Sequence, residues 1–100
     1  MEIRNKAEDG VVTVELSGRL DSASAPECEE KLLPLQEGAS TFILDLKELE
    51  YVSSAGLRVF LLLQKGMVAK QGQMILRHVN ESIRDVLDIT GFTDILTIED

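Results

Sequence analysis

One hundred residues, 44% apolar and 28% charged, make one small domain with a single core and exclude a disordered chain. The 18 acids against 10 Lys and Arg leave a net charge of -8, which argues against a nucleic-acid backbone or an anionic membrane surface as partner. A lone cysteine, Cys28, excludes an internal disulfide, and together with a lone histidine, His78, it supplies no metal-ligand cluster.

The chain opens Met1-Glu2-Ile3-Arg4-Asn5 with no apolar signal region, and its longest purely apolar run, residues 59–63, is far short of a membrane span. The expectation is a soluble, cytoplasmic protein with no direct membrane insertion. Residues 3–6 and 11–17 flank the turn signal Glu8-Asp9-Gly10, so they predict two antiparallel strands, with Val12, Val14 and Leu16 alternating against more polar neighbours. Ser24-Ala25-Pro26-Glu27 has the spacing of a capping box, with Pro26 in the first turn, and predicts a helix running to Gln36. Cys28 falls with Ala25, Leu32 and Leu35 on the apolar stripe of that helix, which reads as a buried structural thiol.

Residues 41–46 form a continuous apolar strand, as expected at the centre of a sheet covered on both faces or strongly buried. From Ser54 onward, Leu57, Val59, Phe60, Leu61, Leu62, Leu63, Met67 and Val68 predict a largely buried helix ending at Lys70-Gln71-Gly72. Residues 74–76 read as a strand, Asn80 as the cap of a helix carrying Ile83, Val86 and Leu87 up to Gly91, and residues 95–98 as a last strand. No linker, repeat or low-complexity tract divides residues 1–100, so one domain is expected. The order β-β-α-β-α-β-α-β predicts an α/β fold, a mixed sheet with helices packed on it.

Two hydroxyls, Ser53 and Ser54, sit where the apolar strand and its loop give way to the apolar helix. The first four N–H groups of a helix have no intrahelical partner, and the macrodipole adds about half a positive charge there, so an anion on either serine is locally favoured. A phosphate also brings about 1.5 to 2 negative charges to the loop, enough to repel an acidic partner or spoil a tight contact. The site therefore reads as a switch. The competing reading makes Ser54 a helix cap and gives Ser53 a hydrogen bond within the turn.

Leu44-Asp45-Leu46, Leu49, Tyr51-Val52 and Ser53-Ser54-Ala55-Gly56-Leu57 together resemble the signature of bacterial anti-sigma-factor antagonists, the single-domain members of the STAS family. Leu16-Ser17-Gly18-Arg19-Leu20-Asp21 followed by Ala25 is similar to the family's Gly-x-Leu-Asp stretch, and Asp88-Ile89-Thr90-Gly91-Phe92 resembles its closing motif. Three matches in the right order, covering nearly the whole chain, are more specific than any one of them. The resemblance implies a STAS fold with a mixed, mostly parallel sheet, and a serine phosphorylated by a partner kinase, Ser54, with Ser53 as the alternative.

It further implies a partner-binding face including Asp21, Ser22, Ser53, Ser54, Gly56 and Leu57, although a turn or capping carboxylate is an equal reading for Asp21. Its implied partners are an anti-sigma factor that is also a serine kinase, bound by the unphosphorylated domain so that a sigma factor is freed, and a phosphoserine phosphatase that resets the switch. No cofactor and no metal are implied. Ser53 departs from the family, which carries an aspartate before the phosphorylated serine. This departure keeps open the use of Ser53 itself, binding without phosphorylation, and a different role as the STAS subunit of a membrane transporter assembly that binds its ATPase. Arg58 stands where the family often has a small residue, and would pair with a phosphate on Ser54 or an acidic partner, or stay solvated.

An enzyme is disfavoured. The Gly-x-Ser-x-Gly elbow is absent, with Val52 in place of its first glycine. His78 is the only imidazole available and ends an apolar strand, and spacing alone does not pair Asp21 or Asp45 with a base. No glycine-rich phosphate cradle is present either.

Overall fold

The computed structural model describes residues 1–99. Its elements are β1 (Glu2–Glu8), β2 (Val11–Leu20), α1 (Ala25–Leu35), β3 (Thr41–Asp45), β4 (Leu49–Val52), α2 (Ser54–Ala69), β5 (Gln73–Arg77), α3 (Glu81–Thr90), a 3-10 turn at Phe92–Asp94 and β6 (Thr97–Glu99). Strands β1 and β2 form the expected antiparallel hairpin, with Glu8 opposite Val11. Asp9 and Gly10 between them both have positive φ, 53° and 80°, the geometry whose twist suits a two-residue hairpin and which an Asp-Gly pair readily adopts.

The sheet runs β1-β2-β3-β5-β6, and every pairing after the first is parallel. Strand β4 was not expected, and it makes the order β-β-α-β-β-α-β-α-β. Strand β2 is long enough to carry two parallel neighbours in succession along one edge. Its first half, Val11 to Glu15, pairs with β3, and its last residues, Gly18 to Leu20, pair with β4, with Glu50 bulged out of the register between Leu49 and Tyr51 and Gly18 at φ +100°. Leu49 and Val52 turn inward while Glu50 and Tyr51 stay exposed, so these four residues show no alternation and read as loop until β2 pairs with them.

One face of the sheet carries the core. Val12, Val14 and Leu16 of β2, Phe42 and Leu44 of β3, and Met74 and Leu76 of β5 cluster with Cys28 and Leu32 of α1, Val59, Phe60, Leu63 and Met67 of α2, and Ile83 and Leu87 of α3. Of the two expectations for β3 it is strong burial that holds, with Phe42, Ile43 and Leu44 all buried, while helices cover only one face. Its alternate residues Thr41 and Asp45 are only half-buried, and Ile43, buried yet outside the core cluster, is shielded by Thr13 and Ile75 on either side of it.

The helix ends carry the remaining differences. Ser24 does not complete a capping box; its hydroxyl turns back to donate to Arg19 O at 2.7 Å and to accept from Asp21 N–H at 3.0 Å. At the end of α2 the left-handed residue is Gln71 (φ 62°), while Gly72 N–H bonds Met67 O at 2.7 Å in a Schellman closure. Gly72 is needed for space, since a Cβ there would lie 2.6 Å from Met67 Cε and 2.8 Å from Ser40 O. The Lys70 ammonium donates to the carbonyls of Gln36 and Glu37, which satisfies the C-terminal end of α1 with a cation from the end of α2. Asn80 caps α3 by accepting from Ile83 N–H at 2.9 Å, and its amide also donates to Leu49 O at 2.8 Å, tying α3 to β4. The last strand begins at Thr97 rather than Ile95, because the 3-10 turn after Gly91 takes up the intervening chain. Among the described residues no helix is long and apolar enough to cross a membrane.

Candidate functional site

Strand β4 sends Val52 into the core and delivers Ser53 to the end of the sheet. Ser53 N–H donates to Leu20 O at 2.9 Å, so the loop is pinned to the last residue of β2. Ser53 has extended backbone (φ -97°, ψ 178°), its carbonyl accepts from Leu57 N–H at 2.9 Å, and its hydroxyl accepts from Gly56 N–H at 3.4 Å. Ser53 is therefore the N-cap of α2, which corrects the reading that gave the cap to Ser54. Ser54 is the first helical residue, exposed, and among the described residues its hydroxyl makes no hydrogen bond.

Gly56 and Leu57, both expected on a binding face, are buried; Leu57 is 5% exposed. A Cβ at Gly56 would sit 2.7 Å from both Leu20 Cγ and Val52 Cγ2 and 2.9 Å from Leu20 O. The glycine lets the first turn of α2 lie directly on the ends of β2 and β4. These two residues hold the loop in place, and the surface is left to their neighbours.

Asp21 and Ser22 reach the same end of the molecule. Leu20 pairs with Val52 across the sheet, so the chain leaving β2 and the chain leaving β4 emerge side by side. Asp21 folds its carboxylate back onto its own turn, with Oδ1 accepting from Ala23 N–H at 3.0 Å and Ser24 N–H at 3.1 Å. The Ser24 N–H bond chiefly holds this carboxyl below its ordinary range, against an opposing desolvation, with smaller help from Ala23 and Arg19. Asp21 is thus a turn carboxylate. Ser22 is exposed and lines a shallow depression between α1 and α2 with Pro26, Glu29, Ala55 and Arg58. Arg58 is exposed and makes no ion pair among the described residues.

Asp45 and His78 lie apart from this cluster, at the ends of β3 and β5, and meet each other with Asp45 Oδ1 3.0 Å from His78 Nδ1. Partial burial pushes the Asp45 carboxyl up, but hydrogen bonds from His78 and from Lys47 N–H outweigh it and hold the group below its ordinary range. Neither the imidazole nor either carboxylate hydrogen-bonds to Ser53 or Ser54. Burial, aided by Glu27 and Glu29, raises the Cys28 thiol to about 11, so it stays protonated and unreactive at neutral pH. Among the described residues no three His, Cys, Asp or Glu side chains gather to hold a metal ion.

Sequence reasoning did not find the contact between Arg19 and Tyr51. Arg19 stands opposite Tyr51 in the β2–β4 register, and its guanidinium carbon lies 4.3 Å from the centre of the ring. The pair depends on β4, and no local pattern announces that strand.

A mixed, mostly parallel sheet backed by helices on one face, in the order β-β-α-β-β-α-β-α-β, is the STAS fold. The STAS domain profile matches residues 2–100. The anti-sigma-B factor antagonist of Bacillus subtilis is 38% identical over 94 residues, which are 93% of this chain and 85% of that protein. A crystal structure of an anti-sigma factor antagonist from Mycobacterium paratuberculosis superposes with a TM-score of 0.86 at 20% identity, covering 97% of this chain and 83% of that one. SpoIIAA of Bacillus, in its phosphorylated form, superposes with a TM-score of 0.76 at 20% identity over 99% of this chain and 92% of its own. The chain belongs to the STAS-domain anti-sigma factor antagonist family. Proteins of this class are non-enzymatic regulators.

Proposed function

We propose that this domain is a phosphorylation-controlled binding module that joins an anti-sigma factor when unphosphorylated and releases it when Ser54 carries a phosphate. The observation that carries this reading is the division of labour in the loop. Ser53 is engaged as the cap, while Ser54 presents an uncommitted hydroxyl at the positive end of α2. The names of the relatives support the class of partner, and the phosphorylated form known for SpoIIAA supports the modification. The partner is a serine kinase as well as an anti-sigma factor, so that binding and inactivation occur on the same surface. A phosphatase returns the domain to its binding form.

The energetics required are modest. Weakening a complex about a hundredfold takes about 3 kcal/mol. A phosphate desolvated against an acidic partner group is sufficient for that.

Ser53 in place of the family's aspartate favours a second reading, in which the domain is the STAS subunit of a transporter assembly and binds its ATPase without any phosphate cycle. Parallel affinity capture from lysate with Ser54→Ala and Ser54→Asp baits separates the two, with bound proteins and bait phosphorylation identified by mass spectrometry. Capture of a serine kinase by the Ala bait alone is the expected result. Equal capture of a transporter ATPase by both baits would overturn the switch and select the second reading.

A further inference from the structure

We propose that Arg19 stacked on Tyr51 forms a second docking point beside the switch loop, for a carboxylate-bearing segment of the partner; this rests on the functional reading above and extends it. Tyr51 is 40% exposed although it lies in a strand between buried Leu49 and Val52, and it precedes Ser54 by three residues in the same segment. Arg19 leaves 61% of its side chain exposed. The guanidinium lies over the ring at 4.3 Å, so each side chain fixes the rotamer of the other. Docking onto such a pair sacrifices little side-chain entropy, and Tyr and Arg are the residue types that most often anchor interfaces.

The charge state of the neighbourhood selects the occupant. The nearest acid to Arg19 is Asp21, whose Oδ2 is 3.9 Å from Nε, a loose contact. The other Asp21 oxygen is committed to Ala23 and Ser24. The outer donors of the Arg19 fork are left for an acceptor from outside, and a carboxylate fits that planar fork in bidentate fashion. Arg58, one helical turn after Ser54 in α2, is exposed and makes no ion pair among the described residues. A chain with 18 acids and 10 basic residues thus keeps one exposed arginine on Tyr51 and another one helical turn after Ser54. A phosphate on Ser54, three residues after Tyr51 in the same segment, would add about 1.5 to 2 negative charges to the surface that an acidic partner segment must approach.

The test is a binding titration of the purified serine-kinase anti-sigma factor against wild type, Arg19→Gln, Arg19→Glu, Tyr51→Phe, Tyr51→Ala and Ser54→Asp. Both side chains are exposed, and circular dichroism of each variant confirms folding. Expected are a loss of about tenfold for Arg19→Gln and Tyr51→Ala, a loss of about a hundredfold for Arg19→Glu, and near wild-type binding for Tyr51→Phe. The salt dependence of binding flattens in Arg19→Gln, which a merely structural role would not produce. Unchanged or tighter binding by Arg19→Glu overturns the docking point, and weak binding by Ser54→Asp in the same series leaves the switch standing. If Ser54→Asp binds like wild type while the Arg19 and Tyr51 variants lose affinity, the switch fails and the docking point holds. Should none of the six bind that protein, both proposals fall together.

Discussion

Replacing Gly56 by alanine tests how the loop is held. The new Cβ would meet Leu20 Cγ and Val52 Cγ2 at 2.7 Å and the Leu20 carbonyl oxygen at 2.9 Å. All three are well inside van der Waals contact, and none can withdraw easily. Leu20 is fully buried, Val52 is 3% exposed, and the Leu20 oxygen is fixed by the Ser53 N–H at 2.9 Å. Overpacking of this kind costs about 1–3 kcal/mol. Alanine recovers at most about 0.5–1 kcal/mol from its better helix propensity, and less at a helix start. The net expectation is a loss of about 1–2 kcal/mol, read as a lower urea midpoint at unchanged slope and a Tm lower by roughly 5–15 °C. Gly38→Ala is the control, since no atom lies within 4 Å of its Cβ, and it should stay within about 0.5 kcal/mol of wild type. A Gly56→Ala protein as stable as wild type would refute the claim that close approach dictates this glycine.

Four further outcomes follow from the same structure. Ser53→Ala should lose about 0.5–1 kcal/mol in urea titration, the lower range for a cap because its bond is long at 3.4 Å, while Ser54→Ala stays within about 0.5 kcal/mol; the reverse ranking would return the cap to Ser54. Lys70→Met keeps the aliphatic stem but strips the donors from Gln36 O and Glu37 O, for a loss of about 1 kcal/mol, and Asn80→Ala, which removes both the α3 cap and the tie to Leu49 O, should lose about 1–3 kcal/mol. The folded-state carboxyl of Asp45 is held below its ordinary range, so its contribution is present above the unfolded value of about 3.9 and fades as pH falls through the folded one. Asp45→Asn should accordingly lower the urea midpoint at pH 6 and differ much less from wild type at pH 2.5; an equal difference at both would assign Asp45 no such linkage.

Local chemistry settled much of this protein in advance. Asp9-Gly10 specified its hairpin because both positions need positive φ, Asn80 and Gly91 bounded α3, and the apolar run from Leu57 to Met67 marked the helix that carries the core. The serine pair was legible for the same reason, since a polar dipeptide between an apolar strand and an apolar helix falls at a helix start in any fold. Which of the two hydroxyls caps the helix was not, because that depends on Ser53 N–H finding Leu20 O on a strand more than thirty residues earlier. The same long-range pairing decides the rest. Leu49–Val52 becomes a strand only when the end of β2 supplies its hydrogen bonds, and that strand brings Tyr51 against Arg19 and closes the sheet end around Gly56. Side-chain periodicity reports only which face a residue shows to the core; edge pairing and close backbone approach are properties of two distant segments together, and they exist only once the tertiary structure has formed.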